Sequence, residues 1–489
     1  AAQQTQPCPT GQHLLAESLF LMGRADEAEA VASLPLPEDA PPLEETLVTI
    51  VRVNNLIWGC NRPSDALAVV EEHRESLTKH GMGRIVAIGE ANVHAHDGRP
   101  QQALDLLGPV PSDLPGLMIS ANARVTALLM RGHLEEAEQL CATTLEQQLA
   151  QDDPKAFLDP NTHVLNRGLC LVALGRFAEA DAICAVAHAT ALEERVPFMR
   201  CWLAGVLGNS SLQAGRLEDA RLWFVEARAA ADEIGLRPGR RIALSGLASA
   251  VGQLDDAEEA ACLLAELDAL PPDLEYMTAD TAIGRAWCLI ALRRPGEARE
   301  VVRAAVLADI ERGQLHPALQ AVVEAARMGD AEWARATLDS IGPVDGEFAK
   351  ARAAYVRATA GRSAEPFAAV EEQLTAIGAL LLAAEAATGL ARALRREGNQ
   401  REAAAAAKRA ETLLAACQGA RTPAATAVDS VVPLSPRERE IALLASDGLT
   451  SKEIAERLFL SARTVDNHLQ NDYTKLGVTS RAELDDVLR

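Results

Sequence analysis

The sequence predicts an all-α protein, a superhelical array of about eleven helical hairpins followed by a small four-helix domain, on three observations. Ala and Leu dominate, aromatics supply only 3 % of the 489 residues and β-branched runs are scarce, so the composition favours helix over sheet. One local pattern then recurs from about Gly11 to Cys417: an apolar helix, a Gly, four residues ending in an acid, and an Ala opening a second helix. After Cys417 the text changes, first to a small, polar stretch without apolar periodicity, then to four short segments with helix start and stop signals. The divisions read from this are a repeat domain over 1–417, a flexible linker over 418–433 and a terminal domain over 434–489.

The turn residue of the repeat is Gly23, Gly98, Gly132, Gly175, Gly215, Gly252, Gly329, Gly361 and Gly398, with Asn61 and Arg293 filling two gaps, at intervals of 32 to 43 residues. Five residues on stands Ala28, Ala66, Ala103, Ala137, Ala180, Ala220, Ala257, Ala298, Ala334 and Ala403, with Pro366 the exception. Gly supplies the left-handed residue that ends the first helix. The acid sits in the first turn of the second helix, where the helix dipole favours it, and Ala permits close approach. One such hairpin cannot bury its own apolar face, so neighbours must stack. The segments GRADEA, GHLEEA, GRFAEA and GRLEDA resemble the inter-helix turn of tetratricopeptide (TPR) repeats, with a period longer than that family's 34 residues, which implies longer helices or loops.

In the terminal segment Ser435 and Glu438 make a capping box around Pro436. Gly448 ends helix 1, Thr450 caps helix 2 (451–458), Ser461 caps helix 3, which runs to about Leu476, and Ser480 opens helix 4. Ile454, Ala455, Leu458, Leu460, Val465 and Leu469 are spaced to form the small core of two crossing helices. The opposite face of helix 3, with Arg463, Asp466, Asn467, Gln470 and Asn471, is left polar and free to enter a major groove. The segments LSPRERE, KEIAERL, SARTVDNHL and KLGVTSR are similar to the LuxR-type helix-turn-helix (HTH) output domain of bacterial regulators. The resemblance makes helix 3 the recognition helix and helix 4 a dimer surface. It places Lys452, Thr464 and Lys475 on phosphates and Asp466, Asn467 and Gln470 at base edges, where Asn and Gln can pair with adenine and Asp can accept from cytosine N4. Asp466 stands where many relatives have Lys. Asp472 falls on the stripe of Val465, Leu469 and Leu476, where an apolar residue is expected, so either the end of helix 3 is more open here or the domain is weakened.

Charge limits where nucleic acid can bind. The net charge is −22, so most of the chain is not nucleic-acid surface, and the terminal domain itself carries eight Lys/Arg against ten Asp/Glu. Affinity is then expected to need a dimer on two half-sites. Nine cysteines, odd in number and never spaced as CxxC, read as buried residues of a reducing cytosol rather than disulfides or a zinc site. No apolar run long enough for a membrane span and no signal sequence occurs, so a cytoplasmic protein is expected. Gly-Lys is absent, which excludes a Walker A loop, and no catalytic constellation is present, so this chain is not read as an enzyme. His94, His96 and Asp97 suggest a metal cluster, but His94 and His96 point roughly 200° apart on a helix and cannot share an ion.

The first helices of a repeat superhelix line its concave face, where ligands or partners bind. In TPR geometry the positions three, six and thirteen before the turn residue look inward. These offsets select Trp58 at three, Trp287 at six and Trp202 at thirteen, with Asn55, Asn92 and Asn209 also at six. Aromatic faces with amides suit a sugar or another polar small molecule, while the alternative reads the Trp residues as inter-repeat packing.

A hairpin array followed by a LuxR-type domain resembles the large MalT-like regulators, in which an ATPase module precedes the sensor. The chain opens at Ala1 rather than Met, which reads as a piece from which such a module is missing. ATP would enter only through that module, and no cofactor is expected in this chain. The resemblance implies a transcription regulator that binds double-stranded promoter DNA and self-associates when an inducer occupies the superhelix. The alternatives are an array that docks a regulatory protein, and a fragment of a signal-transduction ATPase.

Overall fold

The computed structural model describes all residues except 1–7, 38–39, 154–159, 272–276, 362, 427–433, 477–483 and 485–489. Every regular element among the described residues is helical. The hairpins run α1 (Pro9–Leu21) with α2 (Ala25–Ala32), α3 (Pro42–Asn54) with α4 (Pro63–Lys79), α5 (Gly83–His96) with α6 (Pro100–Leu107), and α7 (Leu114–Arg131) with α8 (Leu134–Leu149). Then come α9 (Asn161–Ala173) with α10 (Phe177–Glu193), α11 (Pro197–Ala214) with α12 (Leu217–Glu233), α13 (Arg237–Gln253) with α14 (Ala257–Ala269), and α15 (Thr278–Ala291) with α16 (Pro295–Arg312). The last three are α17 (Leu315–Arg327) with α18 (Ala331–Leu338), α19 (Glu347–Ala360) with α20 (Ala364–Ile377), and α21 (Leu380–Arg396) with α22 (Gln400–Ala415). A short α23 (Pro423–Thr426) follows, and the terminal domain holds α24 (Pro436–Ser446), α25 (Ser451–Leu458) and α26 (Ala462–Leu476). No described helix is long and apolar enough to cross a membrane.

Seven of the nine expected turn glycines, and Asn61 and Arg293, are left-handed, which lets the chain reverse within a few residues. Two expectations fail. Gly252 lies inside α13, and the left-handed residue of that turn is Asp255 (φ 64°), so the buried alanine five on is Ala260 rather than Ala257. Gly252 serves close approach instead: a Cβ there would fall 2.4 Å from the Trp287 backbone, so its absence lets α13 and α15 touch. Gly361 is extended (φ −78°) and turns the chain without a left-handed cap.

A further turn signal went unread in the sequence. Arg24, Arg62, Arg176, Arg216 and Arg294 each stand just before the second helix and pair with an acid three residues on, as Arg176 does with Glu179 at 2.6 Å. The pairs are solvent-exposed, each contributing about 0.5 kcal/mol or less.

The first helices of successive hairpins pack on one another, α5 on α7, α7 on α9 and onward to α19, and therefore line the inner wall. From the fifth hairpin on, one continuous apolar core joins Leu171 to Ala407, whereas earlier hairpins bury smaller separate clusters.

The coil is wound until successive superhelical turns touch. A Cβ on Gly23 would strike the Ile234 carbonyl, Arg131 donates to the Gly313 carbonyl at 3.3 Å, and Gly175 abuts Phe348 and Ile377. Two helix N-termini of the first turn are capped from the second. Asp345 Oδ1 accepts from the Leu134 and Glu135 amides at the start of α8, at 2.7 and 3.2 Å. Gln418 Oε1 accepts from the Glu218 and Asp219 amides of α12, at 3.0 and 3.1 Å. Neither helix has a side-chain cap from its own N-cap residue, so these long-range acceptors meet donors left over by helix geometry.

The stretch expected to be a free linker from 418 is packed on the array as far as α23: Ala420, Thr422 and Ala425 are buried, and the Arg421 amide donates to the Gln253 carbonyl at 2.7 Å. Its small residues, read as flexibility, are small because they lie against helices. Residues 427–433 of that stretch fall outside the described residues.

Candidate nucleic-acid interface

The terminal domain is built by its caps. Ser435 and Glu438 form the expected capping box on α24, and Thr450 and Glu453 form a second on α25. Hydrogen bonds from the Thr450 amide and hydroxyl hold the Glu453 carboxyl below the usual range. Ser461 Oγ accepts from the Thr464 amide at 3.1 Å and starts α26. Ile441, Ala445, Ile454, Ala455, Leu458, Val465, Leu469 and Leu484 form the core, with Leu460 at its edge, so the core read from spacing is the core observed. Leu484 is the single described residue of the expected fourth helix, and it is helical and buried.

This core fixes which way α26 faces. Val465 and Leu469 point in; Arg463, Asp466, Asn467, Gln470 and Asn471 are exposed together on the other side, with Thr464 half-buried at the edge. Lys452 is exposed in the first turn of α25, and the Lys475 side chain falls outside the described residues. Asp472 is fully buried, so the end of α26 is not opened to accommodate it. Two residues of the site were missed in sequence. Arg437 donates to the Leu458 carbonyl at 2.6 Å and ties α24 to the end of α25. Phe459, next in the chain, is left-handed (φ 56°) and 96 % exposed in the turn between α25 and α26. Arg437 had a signal only in its position one turn before the core.

The bacterial regulatory proteins of the luxR family match residues 432–488. The terminal segment is a LuxR-family HTH domain. The LuxR-type domain is 53 % identical over 53 residues to putative HTH-type transcriptional regulators of Mycobacterium bovis and Mycobacterium tuberculosis, a stretch that is 11 % of this chain and 6 % of theirs. It is also 47 % identical over 60 residues to the oxygen regulatory protein NreC of Staphylococcus aureus, 12 % of this chain and 28 % of that one. The chain thus aligns with only a small part of the length of these relatives. Among solved structures, a Rap protein complexed with competence and sporulation factor superposes with a TM-score of 0.50 at 13 % identity, covering 69 % of this chain and 99 % of that one, a likeness of fold in the TPR-like array.

Upstream of the LuxR-type domain, the inner wall does not bring the six expected ligand residues together. Trp287 is fully buried, donates its indole N–H to Glu324 at 2.9 Å and lies under the Arg327 guanidinium, so it is core and not lining. Asn55 is buried too, donating to the Ala25 carbonyl at 2.9 Å. The cause is a π-turn at Asn55–Gly59, which adds a residue to the helix and rotates Asn54 into the inner position. Trp58 and Trp202 are half-buried and meet edge to face at 5.4 Å, closing the coil between the second and sixth hairpins.

Asn92 belongs to a row that spacing alone did not show. Asn92 donates to Asn54 at 3.3 Å, Asn122 to Asn92 at 3.2 Å and Asn166 to Asn122 at 3.3 Å, one amide from each successive first helix. Asn209, half-buried on the next first helix, accepts from Gln213 at 3.3 Å. His96 is buried with Nδ1 2.7 Å from the Asn92 carbonyl, and His94 is buried beside Glu90. Seven of the nine cysteines are buried; Cys8 and Cys262 are exposed.

Proposed function

We propose that this protein is a transcription regulator of the MalT-like kind, acting in the cytoplasm, whose domain at 434–489 binds promoter DNA under the control of the array at 1–417. The observation that carries the reading is the division of α26 into a buried side, Val465 and Leu469, and an exposed polar side, Arg463, Asp466, Asn467, Gln470 and Asn471, in a LuxR-type domain. A helix with that face fits a major groove, where Asn467 and Gln470 suit adenine edges and Asp466 a cytosine amine. Lys452, Thr464 and Lys475 serve the phosphates. With more acids than bases in the domain, nonspecific attraction is weak, and two domains on paired half-sites supply the affinity.

The test is selection of duplexes from a random pool by the full chain, followed by Asn467→Ala and Gln470→Ala. Each is expected to lose about 1–3 kcal/mol of discrimination at its own base position. Unchanged affinity and unchanged sequence preference in both variants overturn the reading.

For the controlling signal, the inner wall favours a polar ligand or a polypeptide partner over a stacked sugar. The Asn row, half-buried except for the buried Asn166, offers amide donors and acceptors, while Trp58 and Trp202 are engaged with each other. That a Rap protein of this fold was solved with a bound factor supports an array that takes up a partner. A panel of sugars and metabolites is expected to leave the melting temperature unchanged if a regulatory protein is the signal, and to raise it if an inducer is.

A further inference from the structure

First helices of the last five hairpins converge on one buried polar cluster. Arg327 of α17 grips Glu385 of α21 with Nε and Nη2, both at 2.9 Å, donates to Glu324 at 2.8 Å, and reaches Gln253 of α13 at 2.7 Å. Trp287 of α15 donates to Glu324, and Tyr355 of α19 donates its hydroxyl to Glu385 at 2.9 Å. The fourth donor to the Glu385 carboxylate comes from beyond the last hairpin: Thr422 Oγ1, fully buried, donates to Oε1 at 2.6 Å. A carboxylate buried this deeply must have its lone pairs met, so Thr422 is held by the cost of leaving Glu385 short of a donor.

Thr422 belongs to the segment that leaves the array toward the LuxR-type domain, and that segment is pinned at three places. Gln418 caps α12, the Arg421 amide bonds to Gln253, and Thr422 closes the Glu385 cluster and accepts from the Ala425 amide at 3.3 Å. The pins belong to the sixth, seventh and eleventh hairpins, so the segment straddles two superhelical turns. Two of the pins, Gln418 on α12 and the Arg421 amide on Gln253, require those turns to be in contact, while Thr422 on Glu385 is made within the last turn. Unwinding of the coil would separate Gln418 from α12 and the Arg421 amide from Gln253, leaving Thr422 on Glu385 as the last hold on the segment.

We propose that residues 417–425 form a strap, docked while the superhelix is tightly wound and released when it opens, through which the state of the array reaches the DNA-binding domain. The strap rests on the function proposed above only for its last step. Its docking is a property of the array. A ligand or partner on the inner wall that changes the pitch of the coil would shift the docked population by its differential affinity for the two windings.

The experiment uses the full chain and trypsin. Arg421 is exposed as a side chain, while its amide is tied down and its neighbour Thr422 is buried, so cleavage after Arg421 reports strap release. Thr422→Val keeps shape and loses the hydroxyl, Gln418→Ala loses the cap, and Thr422→Ser restores the donor. Cleavage after Arg421 is expected to rise at least fivefold in Thr422→Val and Gln418→Ala, to stay at the wild-type rate in Thr422→Ser, and to be accompanied by a change in duplex affinity of at least fivefold in the first two. An unchanged cleavage rate overturns the strap. Faster cleavage with unaltered DNA affinity overturns its role as transmitter. A wild-type chain that binds no duplex overturns the regulator reading and with it the transmitting role, while the trypsin rate still decides docking.

Discussion

Asp345 caps the helix that begins at Leu134, with its Oδ1 2.7 Å from the Leu134 amide across 211 residues, while the Asp345 amide returns a hydrogen bond to the Gly132 carbonyl at 3.0 Å. A helix start is usually satisfied by its own N-cap residue. In α8 the acceptor comes from another turn of the coil, so a local device has become a long-range one.

Removing that acceptor is therefore a test of the winding itself. Asp345→Ala is expected to lower stability by about 1–2 kcal/mol, the cost of an emptied N-cap, and Asp345→Asn to retain most of it. Urea unfolding of the full chain checks both. A wild-type midpoint for Asp345→Ala would mean that the Asp345 cap adds nothing to the hold between the two turns.

The turn of the LuxR-type domain carries an avoidable strain. Phe459 is left-handed, a conformation that costs L-residues with bulky side chains roughly 1–2 kcal/mol, and it is almost fully exposed. Phe459→Asn is expected to stabilise the domain by about 0.5–1 kcal/mol, since Asn tolerates this backbone. Slower amide exchange at Ile454 and Val465 is the readout, and faster exchange would show that the ring makes a contact worth more than the strain.

Acid should loosen the array through histidines that burial holds neutral; His316 is pushed to about 3, and two others share a window. Burial pushes His96 and His163 from the usual 6.5 down to about 4, so both are neutral in the folded state. The unfolded chain binds their protons first as pH falls, so stability is lost between about pH 6.5 and 4 and is unaffected by them above that window. Each contributes up to about 3 kcal/mol of this loss. His163→Leu removes one titration, and its stability at pH 4.5 relative to pH 7.5 is expected to fall less than that of wild type. Equal losses would place the acid sensitivity elsewhere.

The cluster around Arg327 is expected to be intolerant of charge removal. Burial opposes the Arg327 charge, yet Glu324 and Glu385 hold its pKa raised. Arg327→Met leaves two buried carboxylates without their cation and should cost about 3–5 kcal/mol. Arg327→Lys keeps charge but not the two-pronged grip and should fall between. Urea midpoints near wild type for both would mean the cluster is neutral to stability.

What could be read in the sequence was what short range determines. Capping boxes, the ends of α25 and the buried stripe of α26 follow from neighbours within a few residues, and they were legible. The Gly turns were legible for the same reason, apart from Gly361, which turns the chain without a left-handed cap, and Gly252, where a glycine needed for helix contact mimics one needed for chain reversal and Asp255 does the turning. The inner wall was not legible. One inserted residue at the π-turn exchanged Asn54 for Asn55, and the burial of Trp287 depends on Glu324 and Arg327 of the next hairpin. A linker and a docked strap share the same small residues, and only their distant partners tell them apart.

The seating of Gly23 against Ile234, and of Gly175 against Phe348, has a consequence for synthesis. A straight stack of hairpins can settle one unit at a time as it leaves the ribosome, since each needs only the unit before it. Here the early hairpins wait for surfaces encoded some two hundred codons later, as the 211 residues between Leu134 and Asp345 illustrate. The nascent first half is thus exposed for most of translation, and the finished coil should melt as one cooperative unit where an ordinary solenoid would fray from its ends.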